Sequence, residues 1–254
     1  MDYDMLLKLA MELGVRLQKS GAEIYRVEES VVRLLAAYGV SGEVFAIPNC
    51  LIVSLTTGTG EQKTALRRIP SHGTDIELLE AYNDLCRKLC HNPPPEQEAL
   101  DRVFAEEKSG RDWPFYTQLC AYFVGTGGFS LFFGGTWADA ACSGLCGMAI
   151  CCCLKVTRRL RASLFNQTVF SAFVSSLLAA ACVYARLAEH VPFVTIGALM
   201  ALVPGVLFTN SMRDIMAGDM VAGLVKLVES MVIGGAIALG TGAGLALARA
   251  AGGL

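Results

Sequence analysis

Apolar residues recur at helical spacing at Leu6, Leu9, Ala10, Leu13 and Leu17, and again at Ile24, Val27, Val31, Leu34 and Tyr38, with Ser20-Gly21 as a break between the two sets. A period near 3.6 predicts two amphipathic helices. Residues 44–47, 51–56 and 63–69 are short β-prone runs separated by Pro48-Asn49 and Thr57-Gly58-Thr59-Gly60, a pattern that predicts a small meander or hairpin. Thr74, with Glu77 three residues on, predicts a capping box, and Leu79, Tyr82, Cys86 and Leu89 carry one helical face up to the stop at Pro93-Pro94-Pro95. A fourth helix is expected over residues 96–108.

From Thr117 onward the pattern changes. The apolar runs lengthen to about 20 residues, enough for a helix rising 1.5 Å per residue to cross a hydrocarbon core of roughly 30 Å. Five crossings are expected, at residues 117–137, 139–154, 164–185, 191–211 and 224–247. The charges divide at the same place. Residues 1–112 hold 13 Lys/Arg and 18 Asp/Glu, whereas residues 113–254 hold 8 and 5. The fold class expected is therefore an α-helical polytopic membrane protein with about five transmembrane helices (113–254), preceded by a cytosolic α+β domain (1–112). A formal charge of −2 leaves no excess of cations to displace counterions from phosphates, so no nucleic acid is expected as a partner.

Lys155, Arg158, Arg159 and Arg161 fill the second connection and Arg213 the fourth, against Arg186 and Arg249 on the other side. The positive-inside rule then puts the amino terminus in the cytoplasm of a multi-pass protein of the cell membrane. The start of the chain, charged throughout, lacks the apolar core of a secretory signal, which fits a reduced cytosolic zone. Cys142, Cys146, Cys151, Cys152, Cys153 and Cys182 lie in apolar runs and read as small hydrophobes. Cys86, Cys90 and His91 could begin a zinc site, but no second ligand pair follows, so neither metal nor cofactor is expected.

Glycines at 125, 127, 128, 134, 135, 240, 242 and 244 let helix backbones approach closely in lipid, or permit local unwinding where a break lines a cavity. Pro204-Gly205 lies inside an apolar run, where the missing N–H predicts a broken helix. Beyond it come Asn210, Arg213, Asp214 and Asp219, and then Lys226 and Glu229 one helical turn apart. A charge at the membrane centre costs about 2.5–3.5 kcal/mol on insertion scales, so such groups face a bundle interior or an interface. Lys226 and Glu229 either neutralise each other, or Glu229 exchanges protons while Lys226 or Arg213 holds an anion. Asp139 is a second coupling candidate, or a residue of the rim. In the first zone Glu23, Tyr25, Arg26 and Glu28 follow the Gly21 break, either as ordinary surface pairs, with Arg26 meeting Ser30 or Glu29, or as a gating or docking surface. No nucleophile elbow or phosphate loop accompanies them, so no enzyme is expected.

The run Gly21-Ala22-Glu23-Ile24-Tyr25-Arg26-Val27-Glu28, then Val203-Pro204-Gly205, Asn210, Arg213-Asp214, Gly218-Asp219 and the Glu229 helix, resembles the threonine/serine exporter family, in order and over nearly the whole chain. Ile24 stands where that family more often has a polar or small residue. The resemblance implies a cytosolic domain followed by membrane helices, and export of small hydrophilic metabolites coupled to an ion gradient. With about five crossings the chain resembles the half-size components that pair with a second small membrane subunit in an oligomer and are associated with succinate export. The function expected is a subunit of a proton-coupled secondary exporter of threonine/serine or a dicarboxylate. The alternative is a membrane-anchored hydrolase or regulatory module.

Overall fold

A computed structural model describes residues 2–70, 73–109 and 113–252. The expected zone boundary after residue 112 lies outside the described residues. Two compact units emerge, one formed by Met1–Arg111 with Val206–Leu227, the other by Asp112–Gly205 with Val228–Leu254.

The first unit opens with α1 (Tyr3–Lys19) and α2 (Ile24–Ala37). Asp2 caps α1 by accepting from the N–H groups of Asp4 and Met5. The predicted leucine face is fully buried at Leu6, Leu9, Leu13 and Leu17. Strands β1 (Gly42–Ile47), β2 (Cys50–Thr56) and β3 (Gln62–Arg68) make an antiparallel sheet in the order β1-β2-β3. Ile47 pairs with Cys50 across the Pro48-Asn49 turn, which fixes the register. Period-two alternation then sends Leu51, Val53 and Leu55 into the core. Helices α3 (Ile76–His91) and α4 (Glu96–Ser109) close this core with Tyr82, Leu85, Leu89, Leu100 and Val103. The α3 cap differs from expectation: it is Asp75, not Thr74, whose side chain accepts from Leu78 N–H. The carboxylate one residue later sits directly before the first helical residue.

The second unit is built from α5 (Phe115–Phe132), α6 (Trp137–Arg159), α7 (Leu164–Tyr184), α8 (Val191–Leu199) and the later part of α10 (Met220–Ala250). Among the described residues three helices, α6, α7 and α10, are long and apolar enough to cross a membrane. The expected first crossing stops short, at Phe132, because Gly134 takes a left-handed φ of 98° and Thr136 then caps α6 in a full capping box with Asp139. The crossing expected at 139–154 is a longer helix of 23 residues. The crossing expected at 191–211 is not one helix: α8 ends at Leu199, Pro204 has no N–H to continue the ladder, and α9 (Gly205–Ala217) begins afresh.

Small residues set the spacing of these helices. A Cβ on Gly147 would lie 2.3 Å from Thr126 Oγ1, one on Gly240 2.3 Å from the Val169 carbonyl oxygen, and one on Gly244 2.1 Å from Ser176 Oγ. Thr126 and Ser143 each donate a hydroxyl to the other's carbonyl at 3.0 Å, tying α5 to α6. Close backbone contact of this kind replaces the hydrophobic drive that lipid cannot supply.

Candidate functional site

Polar residues converge in the first unit, where the turn between α1 and α2 meets α9 and the start of α10. Gly21 makes the turn with φ 96°, a left-handed conformation that a side chain disfavours. Its carbonyl accepts from the Asn210 side-chain amide at 3.1 Å. Glu23 follows as the N-cap of α2, its backbone extended and its side chain making no capping hydrogen bond. One carboxylate oxygen of Glu23 accepts from Arg213 at 2.8 Å and the other lies 3.6 Å from Arg26. Glu23 is 8% exposed in its side chain and Arg213 55%.

Asp214 is the centre of the cluster. Fully buried, it accepts the Ile24 backbone N–H at 3.0 Å through one oxygen and the Lys226 ammonium at 2.7 Å through the other. The side chain of Lys226 is 7% exposed. An uncapped helix start leaves N–H groups without partners, and here an acid from a distant part of the chain supplies one of the missing acceptors. The contact uses the backbone of Ile24, while its side chain sits in the core, so the polar contact does not depend on which side chain stands at this position. Lys226 reaches Asp214 because Gly218 turns the chain with φ 103° and Gly223 lets α10 lie against α9; a Cβ there would be 2.8 Å from the Ser211 carbonyl oxygen.

Glu28, one turn further along α2, accepts from Ala46 N–H of β1 at 2.7 Å. Burial pushes its carboxyl up, the Ala46 bond opposes this, and the charges of Asp219 and Asp214 push it up further, for a net rise. Asp219 is also raised, by burial and then by Asp214, against Lys226. Glu23 goes the other way: burial would raise it, but its backbone hydrogen bond, the Arg213 bond and the charges of Arg26 and Arg213 hold it below the ordinary value.

The structure thus brings together Glu23, Glu28, Asn210, Arg213, Asp214, Asp219 and Lys226. Arg26 is exposed and reaches Glu23 and the Tyr25 hydroxyl, rather than Ser30 or Glu29; Glu29 pairs with Arg33. Pro204, Gly205, Glu229 and Asp139 belong to the second unit. Glu229 is half-buried on α10. Asp139, fully buried, accepts from Thr136 N–H, from the N–H groups of Glu189 and His190, and lies 3.0 Å from His190 Nδ1, so it ties the start of α6 to the residues before α8. Sequence spacing did not reveal the Asp214–Lys226 pair, because their separation of 12 positions has no helical period. A turn glycine at 218 and a small residue at 223 are the traces it leaves.

A helical membrane protein with a charged cluster buried beside a small α+β sheet is the class these observations define. The sequence pattern of a family described as "Putative threonine/serine exporter" matches residues 8–248. The chain belongs to that threonine/serine exporter family. It is 22% identical to a "Probable threonine/serine exporter" of Mycobacterium tuberculosis over 92% of this chain and 45% of that protein. It is 25% identical to "Pheromone-regulated membrane protein 10" of Yarrowia lipolytica, over 87% of this chain and 19% of the relative, and 22% identical to the Saccharomyces cerevisiae protein of the same name, over 87% and 30%. The chain spans about half the length of the bacterial relative and less than a third of the yeast ones. No solved structure matches it.

Proposed function

We propose that this protein is a subunit of a secondary active exporter of small hydrophilic metabolites, threonine and serine or a dicarboxylate such as succinate, driven by the proton gradient. The observation that carries this reading is the buried Asp214, which holds the Lys226 ammonium and the first N–H of α2 at once. Protonation of Asp214 would release Lys226, and parting of Glu23 from Arg213 would free a guanidinium. Both cations suit a substrate carboxylate, one as a point charge and the other as a planar fork. Glu23, Tyr25, Arg26 and Glu28 then act as the gate that keeps these cations engaged, and Asn210 fastens the turn to α9. Glu229 and Asp139 are further sites for proton exchange, and Pro204-Gly205 supplies the helix break that this reading associates with substrate passage.

The same reading has five crossings, the fourth over residues 191–211, in the cell membrane. The basic residues Lys155, Arg158, Arg159 and Arg161 around the turn from α6 to α7 favour a cytoplasmic amino terminus. A second, small membrane subunit completes the pathway in an oligomer. The test is uptake of labelled threonine, serine and succinate into inside-out vesicles holding this chain with and without the partner, under an imposed pH gradient. Gradient-driven uptake of at least one of them is expected, reduced by Glu229→Gln. Equal uptake with and without the gradient would remove proton coupling, and no uptake of any of the three would remove the exporter role.

A further inference from the structure

Cys86 and Cys90 have no part in the cluster above. They sit one turn apart on α3, at a groove of about 860 Å³ between α2 and α3. Arg26, Arg33 and Arg87 line that groove against Glu29 and Glu80, so its charge is net positive. The two thiols are not equivalent. Cys86 is 7% exposed, its sulfur 3.8 Å from the Ser30 carbonyl oxygen and within hydrogen-bond reach of Cys90, so its one thiol proton serves either acceptor. Cys90 is half-buried and opens on the groove. The Cys86 hydrogen bond lowers the Cys90 thiol, burial opposes it and the nearby Arg33 lowers it again, to about 7. The shared hydrogen bond, and then burial, push Cys86 the other way. A thiolate beside an arginine in a partly open site is the arrangement of a reactive cysteine rather than a structural one.

We propose that Cys90, at this arginine-lined groove, is a site of mixed-disulfide formation with small, carboxylate-bearing disulfides. The Cys90 thiolate attacks one sulfur of the incoming disulfide. A new Sγ–S bond forms, the old S–S bond breaks, and the second half leaves as a thiolate that takes a proton from water. The guanidinium of Arg87, and that of Arg33 in exchange for Glu29, hold the carboxylates of the incoming molecule, and Cys86 stabilises the attacking sulfur. The adduct has a route to the ionic cluster, because Arg26 lines the groove and also lies 3.6 Å from Glu23. A carboxylate in the groove competes with Glu23 for that guanidinium.

The experiment exposes the full chain in lipid nanodiscs at pH 7 to glutathione disulfide, which is anionic, or to hydroxyethyl disulfide, which is neutral. Peptide mass spectrometry then follows each cysteine with time. Cys90 is expected to gain the adduct roughly tenfold faster than Cys50, which is half-buried on β2 of the same unit. The preference for the anionic reagent should fall about threefold or more in Arg33→Gln/Arg87→Gln, whose changed side chains lie at the surface. Cys90→Ser should remove the fast adduct while the other cysteines keep their rates. Reaction of Cys90 no faster than Cys50 would overturn the proposal, and so would a reagent preference unchanged by the arginine substitutions.

Discussion

The two units bury their residues in opposite ways. In the first, over residues 2–109, large aliphatic side chains such as Leu6, Leu9, Leu13 and Leu35 are inside, and the buried charges of the unit, such as Glu12, Glu23 and Asp214, are ion-paired. In the second, the interior belongs to Ala140, Cys146, Ala172, Ala179, Ala198 and serine hydroxyls, while Val124, Phe132 and Leu239 point outward at 70, 80 and 63% exposure. Water rewards the first arrangement, since hiding large apolar surface is its main driving force. Lipid rewards the second, since it solvates large apolar groups and leaves close backbone packing to hold helices together. The contrast explains where charge is permitted: Glu12, Glu23 and Asp214 each meet a cation in the first unit, whereas Asp139 in the second meets chiefly backbone N–H groups.

The largest expected effect comes from removing one member of the buried pair. Asp214→Ala leaves Lys226 charged and without that partner, and should destabilise the first unit by about 3–5 kcal/mol. The double variant Asp214→Leu/Lys226→Leu should recover most of that loss, because neither charge then remains buried. Thermal unfolding followed by tryptic protection of residues 1–109 reads both. If the double variant were no more stable than Asp214→Ala, the cost would not lie in the stranded ammonium. A smaller loss, about 1–3 kcal/mol, is expected for Gly240→Val, whose Cβ meets the Val169 carbonyl oxygen, while Gly234→Val on the same helix meets open space and should change little. Equal effects at the two glycines would contradict close backbone packing as the basis of the second unit.

The smallest effect has a sign worth measuring. Because the folded state raises Glu28 above its ordinary value of 4.5, it binds that proton more tightly than the unfolded chain does. The contribution of Glu28 to stability is therefore complete below 4.5 and is lost as pH rises through the folded value. Glu28→Gln, whose amide oxygen still accepts Ala46 N–H, should stabilise by less than about 1 kcal/mol at pH 7 and by nothing at pH 4. Glu23 runs the other way: held low, it stabilises above 4.5 and loses that contribution as pH falls through its folded value. Urea melts from pH 4 to 8 separate the two, and a Glu28→Gln gain that grew on acidification would refute the assignment.

The helices and strands of the first unit were legible because each has a clean period: Leu6 to Leu17 repeats as a helix, and Leu51, Val53 and Leu55 alternate as a strand. The cap at Asp75 was misplaced by one because Thr74 and Asp75 are both good capping residues, and only the backbone decides which precedes the helix. The break at Pro204 followed from its missing N–H. The meeting of Glu23 with Arg213, 190 positions apart, was not legible, since nothing local records it. Ile24 hid the partner of Asp214, because the group that Asp214 binds is a backbone N–H present in every residue but proline.

Gradient-driven flux separates the proposed role of Asp214 from a purely structural one. Inside-out vesicles carrying Asp214→Asn, which keeps an acceptor for Ile24 N–H but cannot carry a proton, should still exchange labelled substrate for unlabelled at equilibrium. They should lose the acceleration that an imposed pH gradient gives the natural chain. Acceleration equal to that of the natural chain would contradict the account.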